Sequence, residues 1–106
     1  MADTLKRLET IIAGRRTGDP SQSYVANLTA KGRAKIAQKV GEEAVETAIA
    51  AVLGDRDALT KEAADLLFHL AILLADAGLT FDDVFAELDA RDGISGLAEK
   101  AGRKDN

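Results

Sequence analysis

The chain has 106 residues, with 14 Lys plus Arg, 18 Asp plus Glu, one His, one Pro, no Cys and four aromatics. That suits a single domain over 1–106 and leaves no room for two. A net charge of −4 argues against a general nucleic-acid binder, which rests on many Lys and Arg contacts to phosphates. The absence of Cys excludes disulfide staples, thiolate zinc sites and a Cys nucleophile, and fits a reducing compartment. The charge is uneven: residues 1–41 carry +5 and residues 42–106 carry −9, so local phosphate binding by the first part stays open. The opening MADTLKRLET lacks a signal-peptide core, and the most apolar stretch, Leu66 to Ala75, is broken by His69 and too short to span a bilayer. The expectation is a cytoplasmic protein with no membrane partner.

Twenty residues are Ala and the lone Pro is Pro20, so the expected class is all-α, an antiparallel bundle of four to five helices. A first helix is expected from Asp3 to Ala13, with Leu5, Leu8, Ile11 and Ile12 on one stripe and Gly14 as its stop. Asp19-Pro20 reads as N-cap and first position of a short helix carrying Tyr24, Val25 and Leu28 and ending near Gly32. A third helix spans Arg33 to Leu53. After Gly54-Asp55-Arg56-Asp57 a fourth runs to Ala77, with Gly78 past its end. Thr80 caps a fifth, with Asp83 at capping-box spacing and Phe81, Val84, Phe85 and Leu88 on its apolar side. The tail from Gly93 to Asn106 reads as a docked turn or frayed end. The fourth helix is apolar almost all round from Leu66 to Ala75 and so demands burial on nearly every side. A chain of this size, built from small Ala side chains, meets that demand by pairing with a second copy, and a homodimer is expected.

At ~100° per residue, Lys35, Lys39, Glu42, Glu43 and Glu46 share one ~100° face of the third helix. On the fourth, Glu62, Asp65 and His69 form a polar stripe. A short connection between antiparallel helices sets Glu42, Glu43 and Glu46 opposite Glu62 and Asp65. Five carboxylates in one groove need protons or a cation, since desolvation costs several kcal/mol per ion. Oxygen ligands without Cys favour Mg²⁺, or Mn²⁺ in its place, over zinc or copper. The competing reading is a solvated face in which the acids pair with Lys35 and Lys39 at helical spacing. A di-iron bundle is a poor fit because it needs two Glu-x-x-His pairs and there is one His. His69 reads as a hydrogen-bonded core or interface residue rather than a ligand, and Tyr24 as core packing rather than a platform stacked on a base.

The stretch from Lys35 to Glu46 (KIAQKVGEEAVE), followed by Glu62-Ala-Ala-Asp-Leu-Leu-Phe-His69, closely resembles the phosphoribosyl-ATP pyrophosphatases of histidine biosynthesis. The likeness covers nearly the whole chain, including Ser23-Tyr24, Ala30-Lys31-Gly32 and the closing Gly96-Leu-Ala-Glu-Lys100. That family belongs to the all-α nucleoside triphosphate pyrophosphatases related to MazG and dimeric dUTPases. The resemblance implies that Glu42, Glu43, Glu46, Glu62 and Asp65 are metal ligands for Mg²⁺-dependent hydrolysis of 1-(5-phospho-β-D-ribosyl)-ATP to its AMP derivative and pyrophosphate. Within that chemistry Glu43 or Glu46 takes the proton of the attacking water, and Lys31, Arg33, Lys35 and Lys39 meet phosphate. It further implies that the cyclohydrolase of the next step is a separate chain. Two rival expectations are a related pyrophosphatase acting on other nucleoside triphosphates and a non-catalytic helical oligomerisation module.

Overall fold

The computed structural model describes residues 2–92, and every regular element among them is a helix. These are α1 (Ala2–Arg15), α2 (Tyr24–Lys31), α3 (Arg33–Val52), α4 (Arg56–Asp76) and α5 (Phe81–Arg91). The expected tail, Gly93 to Asn106, lies outside the described residues. No single helix among those described is long and apolar enough to cross a membrane.

The two long helices form an antiparallel hairpin because of how α3 ends. Gly54 takes φ +74°, a left-handed conformation that costs glycine little. There the Gly54 N–H donates to the Ala51 carbonyl and the Asp55 N–H to the Ala50 carbonyl, which reverses the chain. Asp55 then caps α4, its carboxylate accepting from the Ala58 N–H at 3.0 Å. Gly78, at φ +76°, closes α4 in the same way, with Leu79 N–H on the Leu74 carbonyl at 2.8 Å. Thr80 and Asp83 complete the expected capping box of α5. The Glu9 carboxylate accepts from the Phe81 N–H at 2.7 Å, fastening the start of α5 to α1.

Two helix starts and stops differ from expectation. Asp19 does not cap α2: its carboxylate accepts from both the N–H and the hydroxyl of Ser21, and its carbonyl accepts from Gln22 and Ser23. These bonds hold its carboxyl below the usual range, and they close a turn with Pro20 inside it. The cap is Ser23, whose hydroxyl accepts from the Ala26 N–H at 3.2 Å. Gly14 does not stop α1, which continues to Arg15. One glycine costs a helix only about 1 kcal/mol, and the Arg16 guanidinium beyond it is anchored on Asp76 at 3.1 Å.

The core gathers Ile12, Val25, Leu28, Ile36, Ala71, Ile72 and Phe81, one or two residues from each helix. Ile36 lies near the start of α3 and Ile72 near the end of α4, so the core sits at the end of the hairpin away from its loop. Ile11, expected on the buried stripe of α1, is exposed, as are Tyr24 and Leu88. The apolar stretch of α4 is only partly covered: His69, Ala71 and Ile72 are buried, while Leu67 is 44% exposed. Towards the hairpin loop, α3 presents Val45, Ile49 and Val52 to the outside, Val52 at 86% exposure, and the C-cap Leu53 is exposed beside them. On a ~100° wheel these first three lie roughly opposite Ile36, Glu43 and Ala50, the side buried in the fold.

Candidate metal centre

Between the core and the hairpin loop, three of the five expected carboxylates come together. One ligand oxygen each from Glu43, Glu62 and Asp65 lies within 4.8 Å of the other two. Glu43 is only 7% exposed, which is rare for an acid without a cation partner. One carboxylate oxygen of Glu43 and one of Glu62 are buried without a hydrogen-bond partner. Burial pushes the Glu62 carboxyl up, and the Glu46 charge, a hydrogen bond shared with Glu43 when Glu62 is protonated, and the Glu43 and Asp65 charges add to it. Orphaned, mutually repelling oxygens on two rigid helices are a strained arrangement for the bare protein and an apt one for a hard cation.

The helices set this geometry directly. Glu43 projects from the face of α3 that packs on α4, and Thr47, one turn later, donates its hydroxyl to the Glu43 carbonyl at 2.7 Å. Glu62 and Asp65 are three residues apart on α4 and so point the same way. Glu42 is turned outward: Gln38 donates to it at 2.7 Å and Lys39 at 3.1 Å, holding its carboxyl below the usual range. Glu46 is exposed and outside the trio, though its charge reaches Glu62.

The basic residues are spread more widely. Lys39 lies on Glu42, and Lys35 donates to Gln38 at 3.4 Å. Lys31 is exposed in the last turn of α2. Arg33 is engaged by Asp76, with its Nε on the carboxylate and a terminal nitrogen on the backbone carbonyl, both at 2.8 Å. The sequence reasoning missed Asp76. An acid in the last turn of a helix opposes the helix dipole, and that conflict was the signal that cations must gather there, as Arg16 and Arg33 do.

A family model described as phosphoribosyl-ATP pyrophosphohydrolase matches residues 5–92. The chain belongs to this family. It is 68% identical over 103 residues to the phosphoribosyl-ATP pyrophosphatase of Rhizorhabdus wittichii, covering 97% of each chain. It is 62% identical to that of Novosphingobium aromaticivorans and 58% to that of Zymomonas mobilis, each over 101 residues, with 95% of this chain and 94% of the relative covered.

Beside the trio, this family member carries a polar couple. Tyr24 and His69 Nε2 are 2.7 Å apart, and His69 Nδ1 is 2.8 Å from the Asp65 carbonyl. A carbonyl only accepts, so Nδ1 bears the hydrogen; in the neutral ring Nε2 then accepts from the Tyr24 hydroxyl. His69, 6% exposed, is therefore the hydrogen-bonded interior residue its sequence context suggested. Tyr24 is not: it is 50% exposed rather than packed in the core.

Proposed function

We propose that this chain hydrolyses 1-(5-phospho-β-D-ribosyl)-ATP to 1-(5-phospho-β-D-ribosyl)-AMP and pyrophosphate, in histidine biosynthesis. The observation that carries the mechanism is the convergence of Glu43, Glu62 and Asp65 with two buried, unpartnered oxygens, in a chain of this family.

Glu43, Glu62 and Asp65 would hold Mg²⁺, with Mn²⁺ as substitute; when bound, the ion supplies charge neutralisation on the triphosphate and its leaving pyrophosphate. The all-oxygen donor set fits that ion. Glu46 lies at the edge of the trio, outside the donor cluster, and is the carboxylate left to take a proton from the attacking water. The water oxygen bonds to the α-phosphorus, and the bond from that phosphorus to the α–β bridging oxygen breaks. Pyrophosphate departs with the bridging oxygen. Lys39, poised on the outward Glu42, offers an ammonium to the phosphate oxygens without leaving its helix face, and Lys35 lies one turn before it. Lys31 and Arg33 lie further upstream, and Arg33 reaches phosphate only by exchanging Asp76 for it.

The working unit we infer is a homodimer. The outward strip of Val45, Ile49, Val52 and Leu53 and the half-covered α4 supply the apolar surface that a second copy covers. The Cα radius of gyration, 15.8 Å, also exceeds the ~13 Å of a compact 100-residue domain. The absence of Cys suits the reducing cytoplasm in which we place the enzyme.

The substrate assignment is tested by comparing kcat/KM for phosphoribosyl-ATP with that for dUTP and the common deoxynucleoside triphosphates in Mg²⁺. The phosphoribosyl compound should lead by orders of magnitude. A lead for any simple nucleotide overturns the substrate and keeps the metal chemistry.

A further inference from the structure

The feature the chemistry above leaves unused is Tyr24, whose orientation is the reverse of a usual surface tyrosine. Such residues bury the ring and keep the hydroxyl wet. Here the hydroxyl is bonded to a buried imidazole while the residue as a whole is 50% exposed. With the polar tip so engaged, the ring is the surface left for a partner.

That surface is held on two sides. The ring is offset-stacked on Phe68, with centroids 6.2 Å apart and planes at 24°, and meets His69 edge-on at 5.7 Å and 83°. Phe68 and His69 in turn pack edge to face at 5.3 Å. A ring fixed by both stacking and a hydrogen bond loses little freedom when a ligand lands on it.

Its place matters as much as its rigidity. His69 follows Asp65 by four residues, ~6 Å along the helix, and its Nδ1 bonds that residue's carbonyl. Tyr24 is thus anchored one turn beyond the trio, close enough for the charges of Lys39, Glu43, Asp65 and Glu42 to act on its hydroxyl. A ribose interposes a spacing of that order between an α-phosphate and its base. With the ring neutral, the hydroxyl donates to His69 Nε2 and is not free to serve a phosphate. Of the substrate's parts, the phosphoribosyl end offers no π-face and the purine does.

We propose that the Tyr24 ring is the platform on which the purine of the substrate stacks, with His69 as the positioning residue that holds it. This rests on the pyrophosphohydrolase reading above. Tyr24→Leu should raise KM for phosphoribosyl-ATP by roughly 5- to 100-fold, the range of one base stacked on an aromatic ring, with kcat changed less than about 3-fold. Tyr24→Phe keeps the face and loses only the anchor, so its KM should rise about 2- to 3-fold. AMP binding, measured by calorimetry in Mg²⁺, should weaken in Tyr24→Leu by the same factor as KM, while inhibition by inorganic tripolyphosphate, which has no base, should not change. Far-UV circular dichroism confirms that each variant is folded. The proposal is overturned if Tyr24→Leu leaves KM and AMP binding unchanged, if Tyr24→Phe is as impaired as Tyr24→Leu, or if tripolyphosphate inhibition is lost in step with AMP. Dissociation of the dimer by Tyr24→Leu without weaker AMP binding also overturns it, since the ring would then be an interface residue. Should the wild type fail to turn over phosphoribosyl-ATP, the functional reading falls, and the AMP comparison still decides the role of Tyr24.

Discussion

Replacing Glu43 by Gln separates what the acidic trio costs the fold from what it does for catalysis. Glu43 is buried, with the Glu62 and Asp65 oxygens within 4.8 Å. Two unit charges at that distance repel by about 3.5 kcal/mol at an effective dielectric of ~20. Asp65 is exposed to water, and screening at such a rim leaves about 1 kcal/mol of net relief when the Glu43 charge is removed. Glutamine preserves the shape, and its amide can donate to an orphaned carboxylate oxygen nearby. Thermal unfolding in EDTA, at fixed protomer concentration, should therefore show Tm of Glu43→Gln about 4–8 °C above wild type. In Mg²⁺ the order reverses. At a concentration of ~100 Kd the wild type gains about 2.7 kcal/mol, while the variant gains much less and its turnover falls at least ~100-fold. A variant that is no more stable in EDTA, and is still stabilised by Mg²⁺ as strongly as wild type, would refute the reasoning.

Other consequences are as direct. Because burial and like charges raise the Glu62 carboxyl above its usual range, the metal-free fold favours its protonated form. That contribution is full below the unfolded value near 4.5 and is lost as pH rises through the raised folded value. Glu62→Gln should accordingly flatten this segment of the stability–pH curve measured in EDTA. Gly14 sits inside α1 with open space where a Cβ would go, so Gly14→Ala should stabilise by about 1 kcal/mol. Gly78→Ala forces a side chain into φ +76° and should destabilise by about 1–2 kcal/mol in denaturant titrations. Val52→Glu, on the outward strip of α3, should shift sedimentation from dimer to monomer with little loss of helicity, and a dimer that survives it places the interface elsewhere.

Much of this architecture is legible in the sequence because it is local. Helical periodicity, the Gly54 and Gly78 stops and the Thr80–Asp83 cap each depend on residues within a turn or two. Asp19-Pro20 misled because both residues serve a turn as well as they serve a helix start, and only the bonds to Ser21 decide between them. The acidic face was visible as a face, and the opposition of α3 to α4 followed from their short connection. Which acids converge was not visible: Glu42 and Glu43 lie ~100° apart on the wheel, and only the position of α4 makes one buried and the other a partner of Lys39. The engagement of Arg33 and Arg16 by Asp76 joins residues 43 and 60 apart in sequence, beyond the reach of any local pattern. Tyr24 illustrates the same gap, since the partner of its hydroxyl is a histidine 45 residues away.

The central claim is that Glu43, Glu62 and Asp65 hold the divalent ion that hydrolysis requires. A single-turnover measurement of pyrophosphate release from phosphoribosyl-ATP, in Mg²⁺ and in EDTA, on wild type and on Asp65→Asn, tests it most directly. The account predicts release by the wild type in Mg²⁺, none above background in EDTA, and a loss of at least ~100-fold in Asp65→Asn with the fold intact. Equal release with and without the ion, or an Asp65→Asn protein as fast as wild type, would contradict it.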